Sequence, residues 1–317
     1  MKMLFSADWH IKLGAKNVPK DWAIGRFRSM FKQIHTLESK ADIHIIGGDI
    51  FDKLPSMEEL ELYFEFIEGC NIPTIIFDGN HEATLKGATF LSNLKSVTNR
   101  INPLVKIIDD YHQEYSIDFI PYCKLKDFEK NGYAFSNNVL VTHCRGEILP
   151  HVKSEVNLDI FSRWQTVLAG DLHSYENSQR NILYPGSPVT TSFHRSTVDT
   201  GSILFNTEDH THVWLKLELP QLIRKTVGVH DEKLATAYHH TIYEIEGDMQ
   251  ELAELENSDL IDKKVIKRAT ESALILDPNM SLSEEVSEYL TFILNLPPET
   301  VESVLKEMQN YADKFEQ

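Results

Sequence analysis

Long apolar runs are missing from this 317-residue chain. No stretch approaches the roughly 20 apolar residues that a membrane-spanning helix needs. Met1-Lys2-Met3-Leu4-Phe5 is followed almost at once by Asp8. That run is too short for a secretory leader and lacks a small-residue cleavage site. The expectation is an unexported protein of the cytoplasm, with no membrane partner. Cysteine is scarce as well. Cys70, Cys123 and Cys144 are odd in number and widely spaced, which excludes a disulfide framework and a thiolate zinc knuckle. They read as reduced interior thiols. Positive charge is also short: 31 Lys and Arg face 48 Asp and Glu, for a net charge of -17. That excludes a simple basic protein that coats nucleic acid. It leaves nucleases open, because metal-binding carboxylates add to the negative count and a bound cation reverses the local field. The sequence has no internal repeat and no low-complexity segment.

What the chain does have is core material, with hydrophobic residues at 42%. Its length suits one large domain with one or two smaller pieces. Lys2 to Ala7, Asp42 to Gly47 and Pro73 to Asp78 read as buried strands ending in polar or glycine residues. Trp22 to Glu38 and Met57 to Glu68 carry apolar residues at helical spacing between them. This β-α-β-α-β start predicts parallel strands with helical crossovers. Later runs are shorter and closer together: Val105 to Ile108, Tyr115 to Ile120, Val139 to Thr142, Thr166 to Ala169, Ser202 to Phe205 and His212 to Leu217. They predict a second sheet of more antiparallel character, packed on the first. The expected fold class is α/β: a β-sandwich flanked by helices.

Near Leu219-Pro220 the texture changes. Thr241 to Glu246 and Ala273 to Asp277 read as strands and Asp248 to Asn257 as a helix, a small α+β appendage. Ser281-Leu282-Ser283-Glu284 is a capping box that starts a helix running to about Leu294. Pro297-Pro298 breaks the chain, and Thr300 is placed to cap a last helix. Val301, Val304, Leu305, Met308, Tyr311, Ala312 and Phe315 form one stripe along it. The expected division is 1–218, 219–280 and 281–317.

Five short segments carry the chemistry. Asp8-Trp9-His10, Gly47-Gly48-Asp49-Ile50-Phe51-Asp52, Gly79-Asn80-His81-Glu82 and Gly170-Asp171-Leu172-His173 each follow a predicted strand, and His143 closes another. In sheets of this kind strand ends converge on one edge, where ligands bind. Asp-x-His and Gly-Asp alone are ordinary caps and turns and His143 alone a partly buried histidine, while Gly79-Asn80-His81-Glu82 is the stronger signal, an amide beside a histidine at a strand end. Together they offer Asp8, His10, Asp49, Asn80, His143, Asp171 and His173: carboxylate oxygens, an amide oxygen and imidazole nitrogens. That mixture suits divalent ions such as Mn, Fe or Zn. Two ions about 3.5–4 Å apart can clamp both sides of an in-line phosphoryl displacement and lower the pKa of a shared water.

The order DxH, GDxFD, GNHE, strand-end His and GDxH resembles the calcineurin-like metallophosphoesterases, and within them the SbcD-type nucleases of double-strand-break repair. Tailed phages carry such a subunit, and the compact length suits that subset, whose place is the host cytoplasm. Gly48-Asp49-Ile50-Phe51-Asp52 has the nuclease form, without the arginine that protein phosphatases place shortly after the second Asp. Tyr184-Pro185-Gly186-Ser187-Pro188 also resembles the nuclease pattern. The likeness covers about residues 1–206. It implies two divalent ions, with Mn expected. Asp8, His10, Asp49 and His173 would hold one, and Asp49, Asn80, His143 and Asp171 the other. His81 would be the catalytic histidine, with Asp52 and Glu82 orienting it. It implies DNA as substrate, a cap over residues 219–280, a tail docking on an SbcC-like coiled-coil ATPase, and a homodimer through Met57 to Glu68 and Ala83 to Val97. Trp9, Lys12, Arg145, His194 and Arg195 are candidates to meet DNA. The alternative is a phosphatase or small-molecule phosphodiesterase on the same scaffold. Two positions depart from the pattern: Asp171 stands where the family usually has histidine, and Glu82 where the nuclease branch has Asp.

Overall fold

The computed structural model describes residues 1–85, 88–234, 238–256, 258–266 and 280–315. In chain order the elements are β1 (Lys2–Ser6), α1 (Lys20–Glu38), β2 (Ile43–Gly47), α2 (Met57–Gly69), β3 (Thr74–Phe77), β4 (Ala83–Leu85), β5 (Ala88–Thr89) and α3 (Lys95–Ile101). Next come β6 (Val105–Ile107), β7 (His112–Glu114), β8 (Ile117–Ile120), α4 (Tyr122–Asn131), β9 (Val139–His143), β10 (Thr166–Gly170), β11 (Ile182–Leu183), β12 (Gly201–Asn206) and β13 (His212–Lys216). The chain continues through β14 (Leu222–Gly228), β15 (His240–Gly247), α5 (Met249–Glu254), β16 (Ile261–Ile266), α6 (Leu282–Glu288) and α7 (Pro298–Phe315).

Two sheets form the sandwich. One has the order β13-β12-β1-β2-β3-β6, the other β11-β10-β9-β8-β7. The side-chain alternation of a strand explains the layering. Met3 and Phe5 of β1 join Phe119 of β8, Val141 of β9 and Leu168 of β10 in the core between the sheets. Leu4 and Ile46 face the other way, onto Phe27, Met30 and Ile34 of α1 and Phe66 of α2. Leu140 and Val167 face outward from the second sheet, onto Leu125 and Phe128 of α4 and Trp164. Both sheets are covered on both faces, so their strands read as unbroken apolar runs. Removing a ring at the sandwich centre, as in Phe77→Ala, costs about 3–5 kcal/mol. Phe77 is fully buried there.

The β-α-β-α-β start is present as expected. β1, β2, β3 and β6 pair in parallel. The second sheet corrects the expectation of antiparallel character. β8 with β9, β9 with β10 and β10 with β11 are parallel, and only β7 pairs antiparallel. The crossover α4 is short and half charged, with three Lys, so its helical stripe is thin, with Leu125 and Phe128 as its buried residues. Ser202 to Phe205 and His212 to Leu217 belong instead to the first sheet, where β12 pairs antiparallel with β1. Tyr115 to Ile120 is not one strand. Tyr115 and Ser116 have φ of 54° and 59° and form the two-residue turn between β7 and β8, a geometry that usually takes Asn-Gly.

By contacts the chain divides into two units. One comprises Met1–Ile245 and Leu255–Lys264, the other Glu246–Glu254 and Val265–Gln317. In the first unit β14, β15 and β16 form a separate sheet, which starts at Leu222, just past the expected border at 218. Trp22 Nε1 donates to the Tyr238 carbonyl at 3.1 Å, which fastens this segment to α1. In the second unit α6 begins at the expected capping box of Ser281 and Glu284. It passes into a π-helical turn at Tyr289–Ile293. Thr300 is not the cap of α7, because the helix already starts at Pro298, where the ring fixes a helical φ and no N–H is wasted. The strand expected at Ala273 to Asp277 lies outside the described residues. Among those residues, no helix is long and apolar enough to cross a membrane.

Candidate metal centre

The loops after β1, β2, β3, β9 and β10 bring the expected residues together at one edge of the sandwich. Their backbones are bent unusually hard. Asp8, His10, Asp49 and Asp171 have φ of 57°, 46°, 52° and 104°, conformations that cost on the order of 1–3 kcal/mol each for a side-chain-bearing residue. Two glycines make the approach possible. Gly48 has φ of 87°, and a Cβ on it would sit 2.6 Å from Gly79 N and His143 Nδ1. A Cβ on Gly79 would sit 2.2 Å from Asp49 Oδ1 and 2.5 Å from Asp49 N.

Asp49 stands at the middle. Its Oδ1 accepts from His81 N at 2.9 Å. Its Oδ2 lies 3.6 Å from both His10 Nε2 and His143 Nε2 and 3.9 Å from His81 Nε2. Asp8 is fully buried; its two oxygens accept from Asp171 N at 3.0 and 3.1 Å, and Oδ1 is 4.0 Å from His173 Nε2. Asp8 with His10 and His173, and Asp8 with Asp49 and His143, form two groups whose ligand atoms lie within 4.8 Å of one another. Asp171 is set slightly apart. Its Oδ1 is 3.8 Å from His143 Nε2, while Arg145 donates to both of its oxygens at 3.1 and 3.3 Å.

This donor set fits divalent cations. His10 Nε2 and His173 Nε2 face each other at 3.1 Å, a separation at which two lone pairs need a proton or a cation between them. The Asn80 amide has three acceptors around it: Asp171 Oδ1, His143 Nε2 and Asp49 Oδ2, at 3.1, 3.0 and 3.2 Å. Such convergent acceptors are what a cation satisfies. The imidazoles are fixed from behind. His143 Nδ1 donates to the Gly47 carbonyl at 2.8 Å, and His173 Nδ1 shares a hydrogen bond with Thr191 Oγ1 at 3.0 Å. Such partners set the tautomer and leave Nε2 to the metal.

The electrostatics of the cluster are those of crowded, dry charges. Burial and the neighbouring Asp49 and Asp171 push the Asp8 carboxyl well above the usual range, against the pull of His143. Burial holds His10 well below an ordinary histidine, helped by His173 and His81. Burial also lowers His143, but Asp49, Asp8 and Asp171 outweigh it and raise the imidazole to about 9. A divalent cation would relieve the repulsion among the carboxylates.

Several residues differ from their expected parts. His81 Nδ1 donates to the main-chain carbonyl of Asp52 at 2.6 Å. Asp52 therefore orients His81 through its backbone, while its carboxylate binds Lys12 at 2.7 Å. Glu82 does not orient His81. It is fully buried and accepts from the backbone N–H of Asp49, Phe51 and Gly79 at 2.9, 2.9 and 2.8 Å, which laces two metal loops together. Trp9 is no DNA contact. It is wholly buried against Phe31 and Phe66. Arg195 is paired with Glu244 at 2.8 Å. The Tyr184 to Pro188 segment acts at the back of the site: Ser187 Oγ donates to the Asp8 carbonyl at 2.6 Å, and Tyr184 OH to the Cys144 carbonyl at 3.0 Å. Beside His173 opens a cavity of about 730 Å3, whose walls include Tyr175, Trp214, His194 and Val189.

A family model for calcineurin-like phosphoesterases matches residues 1–177, and the chain belongs to that family. It is a phosphoesterase of a family that works with divalent metals. "Probable exonuclease subunit 1" of Escherichia phage T5 is 36% identical over 326 aligned residues, which cover 99% of this chain and 100% of that one. "Putative phosphoesterase 244L" of Invertebrate iridescent virus 6 is 25% identical over 224 residues, covering 64% of this chain and 75% of that one. Among solved structures, the TT1561 protein of Thermus thermophilus aligns with 68% of this chain and 98% of that one, at 10% identity and a TM-score of 0.43, a likeness too weak to carry weight.

Proposed function

We propose that the chain is a metal-dependent DNA nuclease, an exonuclease with some endonuclease capacity, and one subunit of an ATPase-coupled recombination and repair complex. The observation that carries this reading is Asp49 Oδ2 at 3.6 Å from both His10 and His143, from where Asp49 would serve both halves of the ligand set. The full-length likeness to the phage T5 protein favours DNA over other phosphoesters. Asp8, His10, Asp49 and His173 would hold one ion, and Asp49, Asn80, His143 and Asp171 the other. Two such ions, Mn in this reading, would supply an activated water and charge stabilisation for the phosphate oxygens when bound.

The chain's own residues do the rest. His81 is anchored at Nδ1 by Asp52, and its side chain is 35% exposed. Its Nε2 lies 3.9 Å from Asp49 Oδ2, at the ligand cluster, where it would stabilise the transition state or give a proton to the leaving 3′ oxygen. Asp52 acts as its anchor. Lys12, paired with Asp52, keeps that anchor loop in place. Residues 1–218 are the catalytic part, 219–280 the cap that positions DNA, and 281–317 the tail whose apolar stripe docks on an SbcC-like coiled coil. Pairing of two chains through α2 and the segment 83–97 completes the assembly, which works in the host cytoplasm. The test is degradation of linear DNA by the purified protein with Mn. Degradation that EDTA abolishes supports the reading. Ready cleavage of a nitrophenyl phosphodiester or a phosphoprotein with DNA left intact refutes it in favour of the small-molecule or protein phosphoesterase.

A further inference from the structure

Asp171 adds a carboxylate beside Asp8 and Asp49, at the edge of the site where a phosphodiester must also be received. The structure places a counter-charge directly on it. β9 and β10 are parallel neighbours in register, with His143 opposite Gly170. Arg145 and Asp171 therefore leave adjacent strands at nearly the same level. The Arg145 guanidinium lies across the Asp171 carboxylate, Nε to Oδ2 at 3.1 Å and Nη2 to Oδ1 at 3.3 Å, and the Asp171 hydrogen bonds raise it above an ordinary arginine. The backbone on each side is held. Arg145 N donates to Glu155 Oε1 at 3.0 Å, Cys144 N to the Gly170 carbonyl at 3.1 Å, and Asp171 N to both Asp8 oxygens. The Asp171 side chain is 6% exposed and that of Arg145 43%. The pair thus has a dry acidic end turned to the ligands and a wet basic end turned to solvent.

We propose that Arg145 and Asp171 work as one unit, in which Arg145 cancels the charge that Asp171 brings and presents its outer edge to a non-bridging oxygen of the nucleic-acid phosphodiester. This rests on the two-metal phosphodiesterase reading given above. A guanidinium has five donors in a fixed fork. Two point at Asp171, and the fork can hold a carboxylate on one edge and a phosphate on the other. The unit explains how an aspartate serves at 171 without repelling the substrate. Arg145 is here a specificity and positioning residue for phosphate.

The pair predicts opposite effects on metal and substrate, which an arginine of merely structural value would not give. The experiment uses the full chain in four forms: wild type, Arg145→Ala, Asp171→Asn and the double variant. Arg145→Lys is a fifth form that keeps the charge but loses the fork. Mn binding is followed by calorimetry without DNA, and KM and kcat on linear DNA and on bis-p-nitrophenyl phosphate. Thermal unfolding checks each fold. Arg145→Ala should bind Mn as tightly as wild type or up to about tenfold more tightly, because the freed carboxylate attracts the cation. The same change should raise KM for DNA by about tenfold or more, with kcat moved less. In the Asp171→Asn background the KM effect should shrink to about threefold or less, as expected of coupled groups. Arg145→Lys should fall between. Weaker Mn binding in Arg145→Ala, or equal KM effects in both backgrounds, overturns the proposal. If wild type binds Mn but leaves DNA intact, the nuclease reading fails, and the pair is still judged by calorimetry and the nitrophenyl diester.

Discussion

Ser187 and Asp8 are 179 residues apart, yet the Ser187 hydroxyl donates to the Asp8 carbonyl at 2.6 Å. The metal loop after the first strand is thus held by a segment that lies beyond the last ligand. Ser187→Ala leaves that buried carbonyl without its partner, which costs about 1–3 kcal/mol. The urea midpoint should fall, and Mn binding that uses Asp8 should weaken. Unchanged Mn affinity together with unchanged stability would rule out this clamp.

Gly79→Ala should be far more damaging than its one methyl suggests. The new Cβ would lie 2.2 Å from Asp49 Oδ1 and 2.5 Å from Asp49 N, and neither loop can retreat, because Glu82 ties both backbones together. We expect more than about 2 kcal/mol of destabilisation, in the class of overpacked cores, and loss of stoichiometric Mn binding. Calorimetric titration of a folded Gly79→Ala protein with normal Mn stoichiometry would contradict this.

His81 and Asp52 separate catalysis from anchoring. His81→Ala should lower kcat on DNA by about 10²–10⁴, the range of a lost acid-base group, with Mn stoichiometry preserved. Asp52→Ala keeps the carbonyl that holds His81, so its loss of kcat should be at least about tenfold smaller. Equal losses in single-turnover assays would show that the Asp52 carboxylate, not its carbonyl, matters.

Away from the site, Glu38 makes stability depend on acid. Burial pushes its carboxyl up, but hydrogen bonds with His35 and His44 outweigh that and bring it down to about 2. A depressed carboxylate stabilises fully above its unfolded value of 4.5 and loses that contribution as pH falls towards 2. The stability gap between wild type and Glu38→Gln should therefore be on the order of 3 kcal/mol at pH 7 and narrow between about pH 5 and 3. Urea midpoints measured across that window test it; a gap that does not change with pH would contradict the linkage.

These residues also mark what could be read from the sequence. The strand-end ligands were legible because each metal loop is local: a strand, a bend, and Asp or His at fixed spacing. Their supports were not. Thr191 behind His173 and Ser187 behind Asp8 are 18 and 179 residues away along the chain, and only the folded sandwich brings them near. Asp52 and Glu82 were assigned to His81 by the family resemblance, but which atom does the holding, backbone carbonyl or carboxylate, depends on loop geometry. The parallel character of the second sheet was hidden because α4 is a short crossover, half of it charged, with a thin apolar stripe. The β7–β8 turn was hidden because Tyr115 and Ser116 take a conformation that neither residue type announces.

The most direct measurement of the central claim is anomalous diffraction from a Mn-soaked crystal of the full chain. The account predicts two peaks about 3.5–4 Å apart, with the Asp49 carboxylate between them, Asp8, His10 and His173 on one, and Asn80, His143 and Asp171 on the other. A single peak at full occupancy, or two peaks with Asp49 bound to neither or to one alone, would contradict it.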